Sequence, residues 1–339
     1  MDVQVHSDRQ SDAGTVRSST FARPVFAALD LGTNNCRLLI ARAAPGGFRV
    51  IDAFSRIVRL GEGLSRNDRL SDMAMERTLA ALKVCGAKIE RRGVTSVRAV
   101  ATEACRRAKN CDEFVATVER ETGIAIEIIS TQEEGRLALA GCASLLDPKV
   151  PYALLFDIGG GSTELMWLAL ERGKPRVIDQ TSVRCGVIGL SERFGGNHIS
   201  PDTYRLMVEE MATAIAPFEA RNDIRALAER GMVQMLGTSG TVTTLAGIHL
   251  ELERYERDAV DGTFLRIADA RAVIKRLLAL DFGGRARHPC IGQERADLVV
   301  AGCAVLEAIC DCWPVEQLRI ADRGLREGIL VELIGSARR

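Results

Sequence analysis

The chain has 339 residues, more than one hydrophobic core usually organises, so two lobes are expected. Apolar residues make up 47% and charged residues 27%, the composition of a soluble globular protein. Lys+Arg and Asp+Glu balance at 45 each, which excludes a bulk field for nucleic acid and leaves any anionic ligand to be held by local groups.

Residues 1–24 are polar, bear Ser and Arg, and lack the apolar stretch of a signal peptide, so a disordered tail is expected there. No later run approaches a membrane span, and a cytoplasmic protein without a membrane partner is expected. Ten cysteines at irregular spacing, with no CxxC pair, read as reduced core thiols; Cys303 and Cys310 share a helical face. The four histidines (6, 198, 249 and 288) form no HxxxH or HExxH pattern, so no zinc site is expected.

From Val25 the chain reads as three antiparallel strands: VFAALDL, CRLLIARA and, after Gly46 and Gly47, FRVIDAFSRIV. An amphipathic helix from Asp72 to Arg92 follows, closed by Gly93. Then come the strand VTSVRAVAT, a helix near Asp112 to Glu121, the strand IAIEIIS and a helix from Gln132 to about Leu146. This is a βββαβαβα order.

The second half restarts with YALLFDI, ELMWLAL and PRVIDQTSVR. Helical segments follow over residues 201–220 and 222–230. Next are the strand MVQML, the loop GTSG, the helix TVTTLAGIHL, a longer insertion with a DG turn at 261 and 262, and helices around residues 268–280 and 293–310. QLRIA and the helix LREGILVELI close the chain, and the last helix is allowed to return to the first lobe. The lobe openings superpose, DLGTNNCRLLIA on DIGGGSTELMWL, with Asp30 over Asp157, Gly32 over Gly159 and Arg37 over Glu164, an offset of 157 − 30 = 127 residues. The expected fold class is therefore α/β, two duplicated lobes over residues 25–149 and 150–339, the second with helical insertions, facing each other across a cleft.

A hairpin needs only one or two residues that tolerate positive φ, so glycine turns alone explain part of these loops. Gly159, Gly160 and Gly161 followed by Ser162 and Thr163 go further, because they expose consecutive backbone N–H groups that suit an anion, phosphate above all. Gly32, Thr33 and Asn34 make the matching first loop. Neither loop is a GxxxxGK[ST] or a GxGxxG that opens a helix. Asp30, Asp157 and Glu164 would supply hard oxygen ligands, and Mg2+ suits carboxylates beside phosphate, although Asp157 as a turn cap competes. A third loop, Gly237, Thr238, Ser239 and Gly240, joins a strand to a helix N-terminus and offers a further anion site, with helix capping as the plain alternative. Ser239 is disfavoured as a nucleophile, because GTSG lacks a GxSxG elbow.

DLGTNNCRLL, RAVATEACRRA, IEIISTQEEGRLALAG, DIGGGSTEL, LGTSGTVTTLAG, ERADLVVAG and GLREGIL together resemble the exopolyphosphatase and guanosine pentaphosphate phosphohydrolase (Ppx/GppA) family, over about residues 25–334. The resemblance implies a ribonuclease H-like, actin-like fold for each lobe and Mg2+-assisted hydrolysis of a terminal phosphoanhydride. Its substrates would be inorganic polyphosphate or guanosine pentaphosphate; a homodimer is left open. Asn35 stands where that family usually has serine. Longer members add an all-helical HD-type domain after GLREGILVELI, so processive action on long polymers is less expected here.

The resemblance makes Glu134 the catalytic base and places Arg106 on substrate phosphate, with Arg107 solvated. Thr131-x-x-Glu134 also fits a capping box, in which Glu134 would only bond back to a helix-start amide. Arg37 either pairs with Glu164 or meets phosphate. Arg295 in ERAD matches another family motif, with helix-surface charge as its ordinary explanation. In-line attack by water, oriented and deprotonated by Glu134, is the expected mechanism, with polyphosphate as leading substrate. Guanosine pentaphosphate 5′-phosphatase and a non-catalytic sensor are the alternatives.

Overall fold

The structure is a computed structural model that describes residues 24–337, so the expected tail over residues 1–24 lies outside the described residues except for Pro24. In the first lobe β1 (Val25–Leu31), β2 (Asn35–Ala44) and β3 (Gly47–Ile57) form an antiparallel meander. Two short helices, α1 (Leu64–Asn67) and α3 (Glu103–Arg107), and two longer ones, α2 (Asp72–Arg91) and α4 (Cys111–Thr122), connect it to β4 (Ser96–Ala101) and β5 (Ile126–Ile128). The sheet order is β3-β2-β1-β4-β5, with β4 and β5 parallel to β1, and α5 (Thr131–Cys142) leaves its end. Successive β1 side chains enter opposite cores. Val25, Ala27, Leu29 and Leu31 meet the α2 and α4 side, while Phe26 and Ala28 face the other.

The second lobe repeats this plan. β6 (Tyr152–Ile158), β7 (Thr163–Glu171) and β8 (Lys174–Val183) make its meander. There follow α6 (Val187–Phe194), α7 (Pro201–Asn222), α8 (Ile224–Glu229), β9 (Val233–Thr238) and α9 (Gly240–His249). The insertion holds α10 (Arg257–Val260), β10 (Phe264–Arg266), α11 (Ile267–Leu278) and α12 (Phe282–Arg287). The chain finishes with α13 (Val299–Cys312), β11 (Gln317–Ala321) and α14 (Leu325–Ala337), in a sheet ordered β10-β11-β9-β6-β7-β8. The 127-residue offset is visible in the backbone: the β-bulge at Ile40/Ala41 recurs at Trp167/Leu168, and the cross-strand pair Asp30–Arg37 recurs as Asp157–Glu164.

Six short elements, α1, α3, α6, α10, β10 and α12, go beyond the expected pattern, and the expected helix over residues 293–310 divides into a 3-10 turn at Gln293–Arg295 and α13. Gly292, with a φ of 75°, opens the 3-10 turn, and residues 296–298 form a turn between it and α13. Helix α14 packs on α5, β1 and β2, where Ile329, Leu330 and Ile334 meet Phe26, Ala28 and Leu137. The two helices touch backbone to backbone, since a Cβ on Gly328 would lie 1.9 Å from the Leu137 carbonyl oxygen and one on Gly141 would lie 2.1 Å from that of Gly324. No described helix is long and apolar enough to cross a membrane.

Candidate active site

Both meanders end their first strand with aspartate at the same place, and the loops behind them meet. Gly32 N–H donates to the Asn35 carbonyl at 2.9 Å, and Gly159 N–H donates to the Ser162 carbonyl at 2.9 Å. None of Gly32, Gly159, Gly160 and Gly161 needs positive φ. The reason for glycine is space rather than turn geometry: a Cβ on Gly160 would lie 3.2 Å from the Cβ atoms of Thr33 and Asn34, and one on Gly161 would lie 3.1 Å from Thr33 Oγ1.

A cavity of about 140 Å³ opens where these loops converge. It is lined by Asp30, Gly32, Thr33, Asn34, Asn35 and Arg37 from the first lobe, by Gly159, Gly160, Gly161, Ser162, Asp157 and Glu164 from the second, and by Glu134, Ser239, Gly240 and Arg295. A wider cavity of about 430 Å³ adjoins it, shares Asp30, Arg37, Asp157, Ser239, Gly240 and Arg295, and extends to Thr238, Tyr255, Asp322 and Arg326. Helix α9 presents its N-terminus to both, capped by Ser239 Oγ, which accepts from Thr241 N–H at 3.2 Å.

Three expected residues stay out of these cavities. Thr163 is fully buried and donates its hydroxyl to the Cys185 carbonyl at 2.6 Å, bracing the strand start. Gly237 packs under Phe156, whose ring a Cβ there would approach to 2.6 Å. Arg106 is also absent from the cavity lining. Its guanidinium lies behind Glu134, donating to Glu134 Oε2 at 2.7 Å, to Glu103 Oε2 at 3.1 Å and to the Ile129 carbonyl at 3.0 Å. Burial opposes its charge, but Glu134 and Glu103 outweigh that and hold its pKa above the usual value.

The capping-box reading of Glu134 does not hold. Helix α5 is capped by Ser130, whose hydroxyl accepts from Glu133 N–H at 3.2 Å, so the position that could reach back is Glu133. Glu133 is held instead by Arg98 and Arg136 at 2.8 and 2.7 Å. Glu134 is thereby left to the cavity. Burial pushes its pKa well above the ordinary carboxylate range, Glu164 adds to this, and Arg106 works against it.

The cavity holds an excess of buried carboxylates. Asp30 and Asp157 keep some contact with solvent, but their carboxyl groups are surrounded by protein. Burial raises the Asp30 pKa against the pull of Arg37 and Arg326, and burial with Glu164 pushes Asp157 up to about 7. Glu164 is also raised by burial, although Ser162 and Ser182 donate to its Oε1 at 2.5 and 2.9 Å. It does not pair with Arg37. Among the described residues no group of three His, Cys, Asp or Glu side chains converges to cage an ion. A hard cation that takes one or two carboxylates and completes its shell with water and phosphate fits this donor set, and Mg2+ is such a cation.

The guanidinium groups of Arg37, Arg295 and Arg326 line the cavities without a hydrogen bond or ion pair among the described residues, an expensive state for arginines in a protein cleft unless an anion completes it. Arg326 was missed by sequence reasoning. Its signal is an arginine two residues after Gly324 at the start of a mostly apolar helix. The Oδ1 atoms of Asn34 and Asn35 are buried without partners, so their donors would have to come from a ligand or its water.

Comparison with known proteins bears on the family and the fold. Residues 39–337 match the Ppx/GppA phosphatase family. The chain is 32% identical over 314 residues to the guanosine-5′-triphosphate,3′-diphosphate pyrophosphatase of Aeromonas hydrophila subsp. hydrophila, and 31% identical over 314 residues to the protein of that name from Aeromonas salmonicida. Each match covers 92% of this chain, which spans 60% of the length of each of these curated relatives. The Ppx/GppA family member of Aquifex aeolicus superposes with a TM-score of 0.74 at 28% identity, over 93% of this chain and 99% of that one. An exopolyphosphatase from Cytophaga hutchinsonii shares the fold, with a TM-score of 0.82 at 23% identity over 92% and 98% of the two chains. With two actin-like lobes closing glycine loops over a shared carboxylate cavity, this chain belongs to the Ppx/GppA phosphatase family.

Proposed function

We propose that the protein is a phosphoanhydride hydrolase that releases orthophosphate from the end of inorganic polyphosphate. The observation that carries this reading is Glu134, a carboxyl with a raised pKa, fixed by Arg106 and facing the cavity into which both glycine loops turn. A base poised by burial next to a phosphate cradle is what water-driven anhydride cleavage needs.

The loops after Asp30 and Asp157 would hold the terminal phosphate through their backbone N–H groups, and Arg37 and Arg295 would meet its charge. Mg2+ held by one or two of Asp30, Asp157 and Glu164, with water completing its shell, would neutralise the phosphoryl oxygens. Glu134 takes a proton from water as the water oxygen attacks phosphorus. The bridging P–O bond breaks, and its electron pair leaves with the shortened chain. Arg106 favours the ionised form of Glu134 against burial and aims it. The adjoining cavity of about 430 Å³, with Arg326 and Tyr255, offers room for the rest of the substrate.

A second reading is supported by the two Aeromonas relatives, whose names specify guanosine pentaphosphate; the same residues would then remove the 5′ terminal phosphate and leave guanosine tetraphosphate. Phosphate release from polyphosphate and from guanosine pentaphosphate, compared at equal enzyme and with Mg2+, decides between them. Preferential release from polyphosphate supports the first reading, and preferential release from the nucleotide replaces it with the second. Tight binding without release from either would overturn hydrolysis in favour of a sensor.

A further inference from the structure

Residues 58–63 leave β3 behind the first glycine loop and are bonded to both lobes. Arg59 is at their centre, with a φ of 47° in the left-handed region that a residue of its size rarely adopts. In that conformation the N–H groups of Val58 and Arg59 both donate to the Asn34 carbonyl, at 2.8 and 3.0 Å, and Gly61 N–H donates to the Thr33 carbonyl at 2.9 Å. The approach is close enough that a Cβ on Gly61 would lie 2.2 Å from Thr33 Cγ2. The back of the first glycine loop is therefore held by this segment.

The Arg59 side chain crosses to the other lobe. Its guanidinium donates to both carboxylate oxygens of Asp297, at 2.9 and 3.0 Å, and to the Glu294 carbonyl at 3.0 Å. Glu294 and Asp297 bracket Arg295, whose guanidinium enters the cavity. The far end is itself anchored, because Ser191 Oγ donates to the Asp297 carbonyl at 2.9 Å and Arg285 Nε donates to that of Ala296 at 3.0 Å.

We propose that Arg59 is a positioning residue that fixes the first glycine loop and Arg295 in register across the cleft, so that both meet one phosphate group; this rests on the phosphate reading of both. An ordinary ion pair between side chains 30% and 20% exposed would contribute little to folding and would require no left-handed backbone. The planar fork matters here, because only it satisfies two carboxylate oxygens and a carbonyl at once.

The test compares wild type, Arg59→Gln, Arg59→Lys and the exchanged pair Arg59→Asp with Asp297→Arg. Three properties are read: kcat and KM for polyphosphate, the thermal midpoint, and hydrogen exchange of the Arg59 and Gly61 amides without substrate. The expected result is a fall in kcat/KM of roughly 10- to 100-fold in Arg59→Gln, mainly through KM, with the midpoint near wild type, as small misplacements of binding groups produce. Amide protection at Gly61 should fall, Arg59→Lys should recover part of the activity, and the exchanged pair should recover more. Wild-type KM together with wild-type exchange in Arg59→Gln would overturn the proposal. If Arg59→Gln does not fold, Arg59→Lys and the exchanged pair carry the same comparison. A wild type that releases no phosphate would refute the hydrolase reading, whereas intact Gly61 protection in Arg59→Gln would refute the positioning role, whatever the activity.

Discussion

Glu133 and Glu134 are neighbours in sequence and opposite in character. Arg136 and Arg98 hold Glu133 down to about 2 against the cost of burial, whereas burial leaves Glu134 well above the ordinary range with Arg106 as its one close cation. The sequence EE alone could not separate them, since the difference lies in which side chains β4, α3 and α14 bring to each. Because Arg106 favours the charged form of Glu134, Arg106→Gln should let Glu134 keep its proton to higher pH. The acid limb of kcat/KM against pH is then expected to move upward while the maximal rate falls; an unmoved limb would disconnect the two residues. Asp157 gives a second prediction. Its folded pKa of about 7 lies above the ordinary carboxylate value, so the folded state holds a proton the unfolded chain has released. That contribution to stability is complete below about pH 4, near the unfolded carboxylate pKa, and is lost as pH rises through about 7. Ion-free protein should therefore lose thermal stability between pH 5 and 8 through this group. Added Mg2+ should restore more at pH 8, where it no longer competes with the proton, and an equal Mg2+ shift at both pH values would argue against Asp157 as a ligand.

Among elements, those with strong local patterns were legible. The meanders, α2 and α7 follow from alternation, apolar spacing and, for α2, the glycine that closes it. Helix α6 and strand β10 were not, because eight and three residues carry too little pattern and β10 exists by pairing with β11, fifty residues on. The glycine loops were found for a partly mistaken reason: their glycines admit close neighbours instead of positive φ. The crossing of α5 and α14 follows the same rule. Gly328→Ala would force a methyl against the Leu137 carbonyl and part the helices, and a loss of about 1–3 kcal/mol or more is expected in denaturant unfolding. Since α14 carries Arg326 and α5 carries Glu134, the same variant should also lose activity under conditions where it remains folded.

Across the whole molecule, duplication explains why the site lies between the lobes. Two copies of one meander present the same loop, and the residues after them diverged to opposite charge, Arg37 in one copy and Glu164 in the other. The offset and the facing of the two loops across a cleft were visible in the chain, but the contacts that hold them there were not, since these are α14 packed on α5 and Arg59 crossing the cleft. Magnesium-dependent phosphate release by wild type and Glu134→Gln, on polyphosphate and on guanosine pentaphosphate, tests the central claim most directly. The expected result is release by the wild type from at least one substrate and a loss of about two to four orders of magnitude in the variant, with its fold and substrate affinity retained. Release at the wild-type rate by Glu134→Gln would contradict it.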